Sequence, residues 1–130
     1  MRTLALLLLT AAPAFAEGPL TVEQFSEHVT GRTIWFSENG HLAGGEEYLP
    51  NKQVRWVNSA GECMTGYYDQ LDDMICFHYD QKPNDPQCWT IFIEPEGLRH
   101  VFLNDPNMAV QLEIPEVDDP LLCLGPEVGV

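Results

Sequence analysis

The chain has 130 residues and carries 20 acidic side chains against six basic ones, a formal charge of −14 with histidines neutral. That length is one domain's worth, and acidity on this scale repels phosphate backbones and anionic lipid, which argues against nucleic-acid binding and membrane binding. It suits basic protein partners or cations, and it also keeps a small protein in solution.

Residues 1–16 have the layout of a secretory signal peptide. Arg2 supplies the positive start, Leu4 to Leu9 form an apolar run, and Ala14-Phe15-Ala16 places small residues at −3 and −1 before a cut. The run is far shorter than the roughly 20 residues a bilayer requires, and no second run could span one. Cleavage after Ala16 leaves residues 17–130, 130 less 16 or 114 residues, as a single β-rich secreted domain. It would hold five basic residues against 20 acidic ones, a charge of −15. Glu17 rather than a cysteine follows the cut, which speaks against a lipid anchor. The short signal with a single arginine points to a bacterial periplasm.

Leu20 to Thr30 is predicted as a short helix. Thr21 and Gln24 have capping-box spacing, Val22, Phe25 and Val29 recur at helical intervals, and Gly31 stands where a helix-ending glycine belongs. Eight short runs rich in β-branched and aromatic residues follow: Thr33–Ser37, Glu46–Leu49, Gln53–Asn58, Met64–Asp69, Met74–Tyr79, Cys88–Glu94, Leu98–Leu103 and Ala109–Ile114. Turn signals such as Glu38-Asn39-Gly40, Asp72-Asp73 and Asn104-Asp105-Pro106 separate them and leave no room for crossover helices. The predicted fold is all-β with one N-terminal helix: an antiparallel meander of about eight strands, curled or closed into a small barrel so that no long edge stays open. The tail from Pro115 reads as an irregular strap.

Alternation assigns Ile75/Phe77/Tyr79 and Trp89/Ile91/Ile93 to the core, with Cys76, His78, Cys88 and Thr90 outward. Val54 and Trp56 face inward, with Arg55 outward. Trp35 and Phe36 must face opposite ways, one of them covering an outer surface or plugging an end.

Four cysteines permit three pairings, and an even set in a secreted chain reads as disulfides. Hairpin register favours one pairing. The loop centred near Lys82 sets Cys76 opposite Cys88, within reach of a bridge. The turn at Leu71–Asp72 places Cys63 about four residues from Cys76, on the order of 13 Å along the strand. Cys76–Cys88 with Cys63–Cys123 is therefore the expected framework.

No catalytic constellation is visible, and the chain is expected not to be an enzyme. Ser26, Ser37 and Ser59 lack a nucleophile elbow. The pairs Glu46-Glu47, Asp72-Asp73 and Asp118-Asp119 read as turn and solubility chemistry, because neighbours on a strand point to opposite faces. Gly44-Gly45 reads as a turn. No cofactor and no metal site are expected, since His28, His41, His78 and His100 are scattered and no Cys-x-x-Cys occurs. Were a metal to bind, with Met64, Met74 or Met108 lending a thioether, His78 beside Cys76 would be the first ligand to examine. Of the many aromatics, Trp56, Trp89 and Phe77 would line a ligand cavity if one existed. Strands this short predict a barrel filled by its own side chains.

Gly31-Arg32-Thr33 leading into a strand, then Cys63-x-x-Gly66, Cys76-Phe77 and Cys88-Trp89, resembles small secreted alphaproteobacterial proteins of unknown function. The likeness spans roughly residues 21–123, rests on turn glycines, cysteines and core aromatics, and carries no catalytic residue over. Lipocalin-like and periplasmic inhibitor barrels are similar in architecture alone. The functional expectation is a periplasmic accessory protein that binds without catalysis, meeting a basic protein partner through its acidic surface, for instance as an inhibitor. The alternatives are a carrier of a small apolar ligand and, after it, a metal-binding protein.

Overall fold

The computed structural model describes residues 18–123. The expected signal peptide and its cleavage site at Ala16 lie outside the described residues. Helix α1 (Val22–Val29) precedes eight strands: β1 (Thr33–Glu38), β2 (His41–Tyr48), β3 (Gln53–Asn58), β4 (Cys63–Leu71), β5 (Met74–Tyr79), β6 (Gln87–Glu94), β7 (Gly97–Phe102) and β8 (Val110–Glu113). Each strand pairs with the next, and β8 returns to pair antiparallel with β1 through Phe36↔Glu113, Ser37↔Leu112 and Glu38↔Gln111. The expected meander is thus a closed eight-stranded barrel, and closure removes both sheet edges. No helix among the described residues is long and apolar enough to cross a membrane.

The capping box sets the start of α1. The Gln24 backbone N–H donates to Thr21 Oγ1 at 3.2 Å, and the Thr21 N–H donates to Gln24 Oε1 at 3.0 Å. The helix is two residues later at its start than predicted, because Thr21 is extended as its N-cap (φ −72°, ψ 163°) and Leu20 before it runs alongside β6, its N–H bonded to the Ile91 carbonyl at 2.7 Å. Val22, Phe25 and Val29 form its buried face. Phe25 meets Tyr48, Tyr68 and Phe77 edge-on, with centroids 5.5, 5.2 and 6.1 Å away. Tyr48 and Tyr68 sit at or near the ends of β2 and β4, so α1 stoppers that end of the barrel. Gly31, at φ 84°, then turns the chain so that its N–H reaches the Tyr48 carbonyl at 2.8 Å and β1 can start.

Both predicted disulfides are present. Cys76 and Cys88 are directly opposed in the β5–β6 ladder and bridged, and Cys63–Cys123 ties the tail to β4 across 60 residues. Trp35 and Phe36 point opposite ways as expected. Phe36 is buried inside, whereas Trp35 lies outside and donates its indole N–H to the Asp119 carbonyl at 2.8 Å. With Leu121 and Cys123 buried, the tail is a strap held against the outer wall.

Three expectations are corrected. Gly44-Gly45 is no turn: β2 begins at His41, five residues before the predicted Glu46, and both glycines lie within it. A Cβ at Gly44 would overlap the Trp56 indole and the Val57 carbonyl, and one at Gly45 would meet Trp35 and Leu121 at 2.9 Å. Each glycine therefore makes room for a tryptophan, one inside the barrel and one outside. Ile93 is not core. It lies next to the β6–β7 turn and is 37% exposed, although its ladder partner Leu98 is buried. Thr90, expected outside, is buried because the chain after β7 folds over it. The Leu103 N–H reaches the Cys88 carbonyl at 2.9 Å, and Thr90 Oγ1 donates to Asn104 Oδ1 at 3.3 Å.

Candidate functional site

The barrel end away from α1 is open. It holds a cavity of about 200 Å³, entered between Trp56, Met64, Lys82, Gln87 and Gln111 and walled deeper down by Phe36, Glu46, Tyr48, Phe77, Tyr79, Trp89 and His100. The filled interior expected from short strands is overturned. Two inward-facing positions supply no side chain: Gly44, in alternation with Glu46 and Tyr48 on β2, and Gly66, between Met64 and Tyr68 on β4. The space at Gly44 is taken by the Trp56 indole and that at Gly66 by the β5 backbone at His78 and Tyr79, so the glycines let the walls pack closely while α1 closes one end and leaves a one-mouthed cup.

Glu46 is 2% exposed, and its Oε1 accepts a hydrogen bond from the Tyr79 hydroxyl at 2.9 Å. Its Oε2 is buried without a partner. Burial drives the carboxyl well above the usual carboxylate range, with the Tyr79 hydroxyl pulling back more weakly. Burial and then the neighbouring Glu46 carboxyl raise the Tyr48 and Tyr79 hydroxyls well above the ordinary tyrosine value. His100 lies across the cup, its ring centroid 4.6 Å from that of Phe36 and 6.0 Å from that of Trp89. Burial pushes its pKa down to about 3, so it is a neutral imidazole at neutral pH, and its Nε2 also lacks a partner. Two buried polar atoms in an aromatic cup are thus left unsatisfied. Each such atom costs about 1–3 kcal/mol, which a ligand offering a partner would recover.

Trp56, Trp89 and Phe77 all stand in the wall of this cup, Trp56 at its half-buried mouth. Cys63, Cys76, Cys88 and Cys123 are all consumed in disulfides. His78 lies on the outer face, where its Nε2 contacts Asp69 Oδ1 at 2.8 Å and its ring stacks on Tyr67 at 4.8 Å. No group of three or more His, Cys, Asp or Glu side chains among the described residues is placed to hold a metal ion. The Glu46-Glu47 pair divides as strand geometry demands: Glu46 goes inside, while Glu47 goes outside and accepts from Arg55 at 3.0 Å.

The sequence reading passed over Glu46 and His100 as site residues. A signal for both existed in the period-two patterns Gly44-Glu46-Tyr48 and Leu98-His100-Phe102, each of which sets a polar residue in line with inward-facing neighbours. No family model, curated protein or solved structure matches this chain.

Proposed function

We propose that this chain is a non-catalytic binding protein that takes a small, largely apolar ligand into the barrel, and that it works in an oxidising compartment such as a bacterial periplasm. The observation that carries this reading is the open-ended aromatic cup with its two unpartnered buried polar atoms, Glu46 Oε2 and His100 Nε2. Apolar walls provide the driving force for uptake, and the few polar groups set the ligand's orientation. An imidazole held near 3 is a poor base at neutral pH, and the wall offers no serine, threonine or cysteine as nucleophile, which favours binding over turnover. Two disulfides fit an oxidising compartment.

The test is thermal unfolding against neutral, cationic and anionic single-ring aromatic compounds. A bound compound raises the melting temperature by mass action. At least one class is expected to do so, and the effect should vanish in Met64→Trp, which fills the cup. No shift with any class would refute the reading.

A second reading rests on the surface. Among the described residues, Arg32, Arg55 and Arg99 are each engaged by a glutamate of the same chain, Glu113, Glu47 and Glu94. The excess acidity is therefore left to face outward, where it would meet a basic protein partner. Binding to a purified basic envelope enzyme that weakens steeply with salt would support it, and salt-independent or absent binding would not.

A further inference from the structure

The cup's electrostatics narrow the ligand beyond its size. Taking the binding reading above as its premise, we infer that the ligand is a small aromatic amine bound as its ammonium ion, with Glu46 as the counter-ion and the aromatic wall around it.

Three observations converge. Glu46 presents a buried, unpartnered carboxyl oxygen to the cup, and no cationic group faces it at depth. Three of its inward neighbours are aromatic, Tyr48 two residues along β2, Trp56 directly opposite on β3 and Tyr79 bonded to its other oxygen, while Ile34 stands opposite it on β1. A carboxylate beside aromatic side chains suits an ammonium, which gains an ion pair and cation–π attraction together. The loops and strand ends around the mouth carry Glu38, Glu62, Asp80, Asp85 and Asp105 against Lys82, whose exposed side chain lies on the same loop as two of those aspartates. This rim attracts cations and repels carboxylates. The volume sets the size. A cavity of about 150 Å³ takes a benzene, so about 200 Å³ takes one ring with a short arm.

Binding should move a proton. The empty cup favours the neutral acid form of Glu46, because burial penalises its charge. The groups sharing the cup with it are Tyr48, Tyr79 and His100, all held uncharged at neutral pH, and Lys82 at the mouth. An entering ammonium stabilises the carboxylate, and the carboxyl proton leaves to solvent.

The experiment is calorimetric titration of the intact protein with three compounds of one shape: phenethylamine, phenethyl alcohol and hydrocinnamate. Each is run near about pH 6 in two buffers of different ionisation heat. The amine is expected to bind roughly tenfold or more tighter than the alcohol, to release up to one proton per ligand, and to lose that advantage in Glu46→Gln; hydrocinnamate should bind weakest. The wild-type comparison stands even if that variant fails to fold. Alcohol binding as tightly as amine, with no proton released, overturns the inference while leaving a ligand-binding cup. None of the three binding overturns the amine together with the binding reading.

Discussion

Burial acts on Glu46 and His100 by the same physics, favouring whichever form is uncharged, and so moves their pKa values in opposite directions. The stability consequences are opposite too. For His100, depressed from 6.5 to about 3, stabilisation is fully present above pH 6.5 and is lost as pH falls toward 3. For Glu46, raised above 4.5, it is fully present below pH 4.5 and is lost as pH rises through the folded value. Above pH 4.5 and below pH 6.5 the two act in opposite directions for as long as the folded chain keeps the Glu46 carboxyl protonated. Relative to the parent, Glu46→Gln should therefore lose stability on acidification across that window, at up to about 1.4 kcal/mol per pH unit. His100→Phe, which packs among Phe25, Phe36 and Trp89 without titrating, should gain. Denaturant midpoints at several pH values check this, and profiles parallel to the parent would contradict it.

The helix, the glycine-bearing strand and the strap each make a separate demand. Phe25 is fully buried among interior rings, so Phe25→Ala should cost about 3–5 kcal/mol in urea unfolding and loosen the closed end. Gly44→Ala forces a methyl into the Trp56 indole and a β3 carbonyl, for a cost of about 1–3 kcal/mol and a shifted tryptophan emission. Of the two disulfides, Cys63–Cys123 closes 60 residues and Cys76–Cys88 closes 12. Loop-closure entropy assigns them about 4 and about 3 kcal/mol, so replacing the Cys63–Cys123 pair by alanines should lower the unfolding midpoint more. Much at this scale was legible in the residues. The Thr21/Gln24 box placed α1, and the loop centred on Lys82 set the β5–β6 register that opposes Cys76 and Cys88. The β4–β5 turn, by contrast, falls at Asp72-Asp73, one residue beyond the expected Leu71–Asp72, which leaves Cys63 still farther from Cys76. The start of β2 was not legible, because Gly44-Gly45 looks like a chain breaker until the tryptophans that pack on it are placed. The cavity was hidden because its volume is set by how far apart the facing walls stand, which no single strand's residues reveal.

For the molecule as a whole, one end of the barrel is closed by α1, the other is open with an acidic rim, and the polar groups lie between them on aromatic walls. The outer surface is built differently. There Trp35 is locked under the strap by its bond to Asp119, and His78 is engaged by Asp69. This division gives the chain an internal control, since two of its tryptophans line the cup and the third does not. The acidic exterior also predicts that uptake of a cationic ligand will be faster at low salt than at high salt, which stopped-flow fluorescence would read; a rate indifferent to salt would assign the rim no steering role.

The most direct test of a ligand-binding cup is to titrate phenethylamine into isotope-labelled protein and follow the indole N–H resonances of the three tryptophans. The account predicts that Trp56 and Trp89 move together and saturably while Trp35 stays in place. Three stationary resonances at millimolar ligand, or movement of Trp35 alone, would contradict it.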